Sequence, residues 1–237
     1  MATTAEGAVR PEIFWQRMAL GLAVFIIFGF LQFALRGFVD PVAAPFWVHA
    51  HGALMLAWLG LLVVQPTLVT RDNLALHRRL GWIGAGLATA ITFLGVFTGV
   101  ASLVLGRFPP FFSPPYFLAL TTVESLVFGL VVMAAIRRRA MTDWHRRLMI
   151  GATIVILEPA LGRILPMPLM IGWSDIPVGI VQLAVVGIVA LHDRRTLGRV
   201  HPATKIIAAV VVATRITIYL LSMTPPVIAL AARLAGG

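Results

Sequence analysis

Cysteine is absent from the 237 residues, which removes disulfides, thiolate metal sites, iron–sulfur clusters and a cysteine nucleophile. Lysine is nearly absent: Lys205 stands alone at the start of the last long apolar run, too shallow for the buried Schiff base of a retinal protein. Charge is scarce at 12%, where a soluble domain of this length would carry far more. The hydrolase signatures G-x-S-x-G and H-E-x-x-H do not occur, so classical hydrolysis has no footing.

What the chain has in excess is apolar residues, 59% of the total. A membrane-crossing helix needs about 20 of them in succession. The apolar runs predict helices at about 14–36, 46–69, 77–105, 116–136, 144–165, 177–192 and 202–222. The fold class is therefore all-α, a polytopic membrane bundle of about seven transmembrane helices forming a single domain over residues 1–237. The seventh run holds Arg215 in its interior and also reads as re-entrant. Residues Met1 to Arg17 precede the run Met18 to Leu35, which is longer than a signal-peptide core and lacks a clean cleavage site, so it reads as an uncleaved first helix.

The formal net charge of +10 would point to nucleic acid in a soluble protein. Here the arginines lie in short links, and lipid headgroups explain them without nucleic acid. Arg71, Arg78 and Arg79, then Arg137, Arg138, Arg139, Arg146 and Arg147, then Arg194, Arg195, Arg199 and Lys205 occupy alternate connections. With Arg10 and Arg17 at the entrance to the first helix, the positive-inside rule places the N-terminus in the cytoplasm and the C-terminus outside. The expected location is a bacterial inner (plasma) membrane, with anionic lipid headgroups at the cytoplasmic face. A partial repeat accompanies this pattern: His77-Arg78-Arg79-Leu80 recurs as His145-Arg146-Arg147-Leu148, and His201-Pro202 opens the seventh helix similarly.

Converting position to depth at about 1.5 Å per residue isolates one polar layer. His51 lies roughly 8 Å and Glu124 roughly 12 Å below the outer surface. Glu158, Gln182 and Arg215 reach the same outer third, with Tyr219 one turn from Arg215. Charges at this depth are expensive, so these residues should face the bundle and one another. Pro159 removes the donor that would satisfy the Val155 carbonyl, adding an unpaired acceptor and a kink. Two readings follow. In one, Glu124 or Glu158 pairs with Arg215 to neutralise charge, while Arg163 snorkels outward. In the other, the layer lines a cavity whose acidic surplus a proton, a cation or a metal would balance, and His49, His51, Glu124 and Glu158 are the candidate metal ligands.

A second histidine set lies at the inner rim. His77, His145 and His201 open three outward-running helices. Facing imidazoles there would suit haem iron, with Arg78 and Arg146 available for its propionates. Lipid anchoring explains the same arginines.

At His51-Gly52, Gln65-Pro66, Leu76-His77-Arg78-Arg79-Leu80-Gly81 and Trp144-His145-Arg146-Arg147-Leu148-Met149, the chain resembles a family of uncharacterised bacterial multi-pass membrane proteins. The likeness runs from about Phe46 to the end and implies architecture rather than chemistry. More loosely, His49 to Gly81 looks like the transmembrane cytochrome b families, which implies haem b held by histidines of adjacent helices. Here, however, both outer histidines belong to the second helix. Three functions are thus expected to compete. The first is a redox protein binding haem b or a divalent metal. The second is a small-solute or proton-coupled transporter or binding protein. The third is an accessory subunit that meets a membrane protein partner through the loop Phe108-Pro109-Pro110-Phe111-Phe112.

Overall fold

The computed structural model describes residues 3–236, with side chains from Glu12 onward. Arg10 lies outside the described side chains. The described chain is all-helical: α1 Thr3–Leu35, α2 Phe46–Thr70, α3 Leu74–Val104, α4 Pro114–Arg137, α5 Thr142–Val155, α6 Glu158–Ile164, a 3-10 turn at Met167–Met170, α7 Asp175–Leu197, α8 Pro202–Ser222 and α9 Pro225–Leu234. Six of these, namely α1 from Glu12 onward, α2, α3, α4, α7 and α8, are long and apolar enough to cross a membrane. Their outward surface fits lipid as solvent, with Trp82, Phe93, Leu130 and Ile180 all more than half exposed.

The expected fifth helix is broken in two. Pro159 cannot donate to Val155 O and Glu158 begins a new helix, so the chain turns at Ile156 and Leu157 and resumes as α6. The 14 residues of α5 and the 7 of α6 together run about 32 Å at helical rise, close to what one crossing requires. Helix α1 fastens the break. Gly29 lets it approach Ala160 so closely that a Cβ there would lie 3.0 Å from the Ala160 carbonyl oxygen, and Gln32 Nε2 donates to Arg163 O at 2.7 Å.

Helix α8 is continuous over Pro202–Ser222, and a short helix, α9, follows it; Ala231 of α9 is buried beside Leu103 and Leu118 at the ends of α3 and α4. Helix α7 extends beyond the expected residue 192 to Leu197 and stops at Gly198, whose φ of +69° closes the left-handed cap that favours glycine. Helices α3 and α4 cross closely through reciprocal notches. A Cβ at Gly99 would meet Thr121 Oγ1 at 2.2 Å, and one at Gly129 would meet Thr92 Oγ1 at 2.5 Å, the small-residue contact usual between membrane helices.

All the basic links gather at one end of the bundle. Glu12 pairs with Arg146 at 2.7 Å, Gln16 Nε2 donates to Thr67 Oγ1 at 2.9 Å, Phe14 stacks on His192, and Trp144 packs edge-on against His201. At this end Arg147, buried to 1% side-chain exposure, donates Nε (3.0 Å) and Nη2 (2.6 Å) to Asp193 Oδ1. Asp193 Oδ2 accepts from His201 N at 3.0 Å and Thr204 Oγ1 at 2.6 Å. One carboxylate thus joins α5 and α7 to the first turn of α8, where it also meets the helix dipole.

Candidate functional site: a buried arginine between carboxylates

At the opposite end, Arg215 of α8 reaches across the bundle. Its Nη2 forms a close ion pair with Glu124 Oε1 of α4, both side chains being more than 90% buried. Its Nη1 approaches Asp175 Oδ1 at 3.4 Å, and the same oxygen accepts Tyr116 Oη at 2.9 Å. Glu158 lies within electrostatic range of Tyr116, Asp175 and Arg163. Among the described residues the Glu158 carboxylate has no ion-pair partner, since Arg163 turns its Nη1 to Pro159 O at 2.6 Å and stacks on Phe30. The cluster therefore sets Arg215 against Glu124 and Asp175, with Glu158 buried and unpaired beside them.

Of the residues expected in the polar layer, Glu124 and Arg215 pair directly, and Glu158 lies within electrostatic range of Asp175, which Arg215 also approaches. Tyr219 lies one turn beyond and is 46% exposed in a groove beside the cluster. Gln182 is buried, with its amide nitrogen engaged and its Oε1 without a partner among the described residues. Its Nε2 donates to Val155 O at 2.8 Å, the carbonyl that Pro159 leaves without a donor, and to Ile154 O at 3.0 Å, which also accepts from Leu157 N at 3.2 Å. Gln182→Leu should therefore cost about 1–3 kcal/mol, the penalty for stranding a buried acceptor. The loss is read from the unfolding midpoint in detergent, and an unchanged midpoint would mean the carbonyls find another donor.

His51 has the right depth and the wrong direction. Its ring lies against Gly95 of α3 beside Ser125, 3.7 Å from where a Cβ would stand, while Glu124, next to Ser125 in sequence, turns to α8. Its Nδ1 is buried without a partner. His49 is on the exposed side, hydrogen-bonded through Nε2 to Pro41 O at 3.0 Å. Thus His49, His51, Glu124 and Glu158 do not form a metal centre, and no other cluster of three potential ligands occurs among the described residues.

The inner histidines hold hairpins together. His77 Nδ1 bonds to Gln65 O at 3.3 Å and His145 Nδ1 to Ala135 O at 2.9 Å, each tying the start of a helix to the end of the one before. The repeated motif thus has a repeated structural role. His201 differs, because its Nδ1 accepts from Ala203 N at 3.1 Å and caps α8. Burial and the nearby Arg147 hold its pKa below the usual histidine range, as an accepting imidazole requires. Arg146 is committed to Glu12 and Asp143 rather than free for a propionate. The aromatic rings of the Pro-rich loop are partly buried: Phe111 packs on the main core, Phe112 beside Ala119, Leu120 and Ile218, and Phe108 on the α9 cluster.

Asp175 and Tyr116 escaped the sequence reading. Asp175 follows Ser174 and precedes Pro177, which reads as a turn, and Tyr116 is the first residue of the expected helix 116–136, just past Pro114-Pro115. A carboxylate in the first turn of an apolar helix, at the depth of an interior arginine, was the available signal. No protein-family model, curated protein or solved structure matches the chain, so the likeness of the His-Arg-Arg motifs rests on those motifs alone.

Proposed function

We propose that this chain is a proton-coupled transporter or binding protein for a small solute, with Arg215, Glu124, Asp175 and Glu158 as its site. The observation that carries the reading is the 5% exposed carboxylate of Glu158, which has no ion-pair partner among the described residues, while Arg215 is committed through its two Nη atoms to Glu124 and Asp175. A buried carboxylate without a partner takes up a proton or a cation, so Glu158 is the group that exchanges one for the other. In this reading the alternate basic loops and the N-terminus face the cytoplasm of a bacterial inner membrane, and the site lies toward the outer face. In proteoliposomes, an imposed proton gradient should drive accumulation of a solute by the wild-type protein and not by Glu158→Gln. Equal accumulation by both would end the proposal.

A redox reading retains one specific support. His77 and His145 each bond a backbone carbonyl through Nδ1 and lie within electrostatic range of each other, which leaves both Nε2 atoms for a metal, as second-shell bonding of ligand histidines does. Protein expressed with ample haem would then show a Soret band lost in His145→Ala. A colourless preparation sets this reading aside.

A further inference from the structure

Between α7 and α8 a groove of about 510 Å³ opens through the side of the bundle, within the size range of small-molecule sites. Its walls are apolar and face the surrounding lipid, with Ile180 61% and Ile216 52% exposed. Its floor is the charged cluster: Asp175 and Arg215 both line it, and Trp173 and Tyr219, each nearly half exposed, flank the opening. Gly179 also lines it, and a Cβ there would sit in ordinary van der Waals contact with Arg215 Cγ at 3.5 Å.

The charges at the floor do not balance. Arg215 is held in its close pair with Glu124 and reaches Asp175 only at 3.4 Å, so one cation serves two carboxylates. Asp175 is the more open of the two at 18% side-chain exposure against 6%. Its Oδ1 is shared by Tyr116 and Arg215, and its Oδ2 accepts nothing among the described residues. Asp175 thus brings a carboxylate to an apolar groove that Trp173 and Tyr219 also line. The surplus is one of negative charge, and the flanking rings favour a cation by their quadrupoles.

We infer that the groove between α7 and α8 binds lipophilic cations, amines or onium ions with apolar substituents, that enter from the bilayer. The apolar part lies along Ile180 and Ile216, and the cationic centre sits at Asp175 between Trp173 and Tyr219. Entry through the side needs no opening of the helix ends, because the ligand partitions into lipid first. The inference deepens the proposed function by naming the substrate class, and it rests on reading the Arg215 cluster as a ligand site.

The test uses tetraphenylphosphonium and its anionic counterpart tetraphenylborate, similar in shape and opposite in charge, titrated against the full-length protein in detergent. Tetraphenylphosphonium should bind saturably and at least tenfold more tightly than tetraphenylborate. Asp175→Asn should weaken it by about tenfold or more, and Gly179→Trp, which fills the groove, should abolish it, with both variants checked for a wild-type unfolding midpoint. If Asp175→Asn does not fold, Ile180→Trp blocks the same groove from its lipid face without touching a charge, and should also abolish binding. Equal affinity for the two ions, or unchanged binding in these variants, overturns the inference. So does the absence of binding by either ion. Because proton-driven uptake through Glu158 is measured separately, a failure here with intact uptake overturns the substrate class and leaves the proposed function standing.

Discussion

Asp193→Ala is expected to destabilise the protein by about 3–5 kcal/mol, the range for removing one partner of a buried ion pair. The reason is what the substitution leaves behind. Arg147 would keep its charge at 1% side-chain exposure with only Asp143, half exposed, to answer it. The first turn of α8 would also lose the acceptor for His201 N and Thr204 Oγ1. Unfolding in detergent, followed by circular dichroism, measures the loss. The double variant Arg147→Met, Asp193→Leu should recover most of it, since a buried pair replaced by apolar groups of similar volume is often neutral or better. A wild-type midpoint for Asp193→Ala alone would mean that water reaches this end of the bundle.

That node shows where reading the chain stops. Asp193 stands in His192-Asp193-Arg194-Arg195, a run that reads as a solvated basic link, yet it is fully buried. Helix α7 continues through it, and only the fold reveals that one face of that last turn points inward. The long helices were legible because the thickness of a bilayer sets their length and lipid sets their composition. The break before α6 was legible from Pro159, whose missing donor strands a named carbonyl. What a run of apolar residues could not signal was α9, at 10 residues too short to cross.

The site divides in the same way. Counting along a helix gives depth, and Glu124 and Arg215, expected in one layer, form an ion pair. It gives no direction around the axis when a helix is apolar on every side. His51 and Glu124 share a layer, but the first faces Gly95 of α3 and the second faces Arg215 of α8. Gln182 shares it too and is consumed by backbone carbonyls. Asp175 was hidden for a different reason, since at a helix start it has the sequence signature of a turn.

Arg215 offers the experiment that separates a structural cluster from a functional one. Arg215→Gln leaves Glu124, 4% exposed, without its cation and should cost about 3–5 kcal/mol. Arg215→Lys keeps the charge but gives up the fork with which one guanidinium addresses Glu124 and Asp175 through different nitrogens, so it should fall between the two. The double variant Arg215→Gln, Glu124→Gln removes both charges and permits an amide–amide contact, so its unfolding midpoint should return close to the wild-type value. If the pair exists only to neutralise charge, the double variant restores everything that Arg215→Gln loses, including proton-driven uptake. If the cluster handles a ligand, stability returns and uptake does not, because the fixed charge that holds Glu124 and Asp175 together, and leaves Glu158 free, is gone. Measuring both quantities on the same preparations decides between these outcomes, since a purely structural pair moves them together.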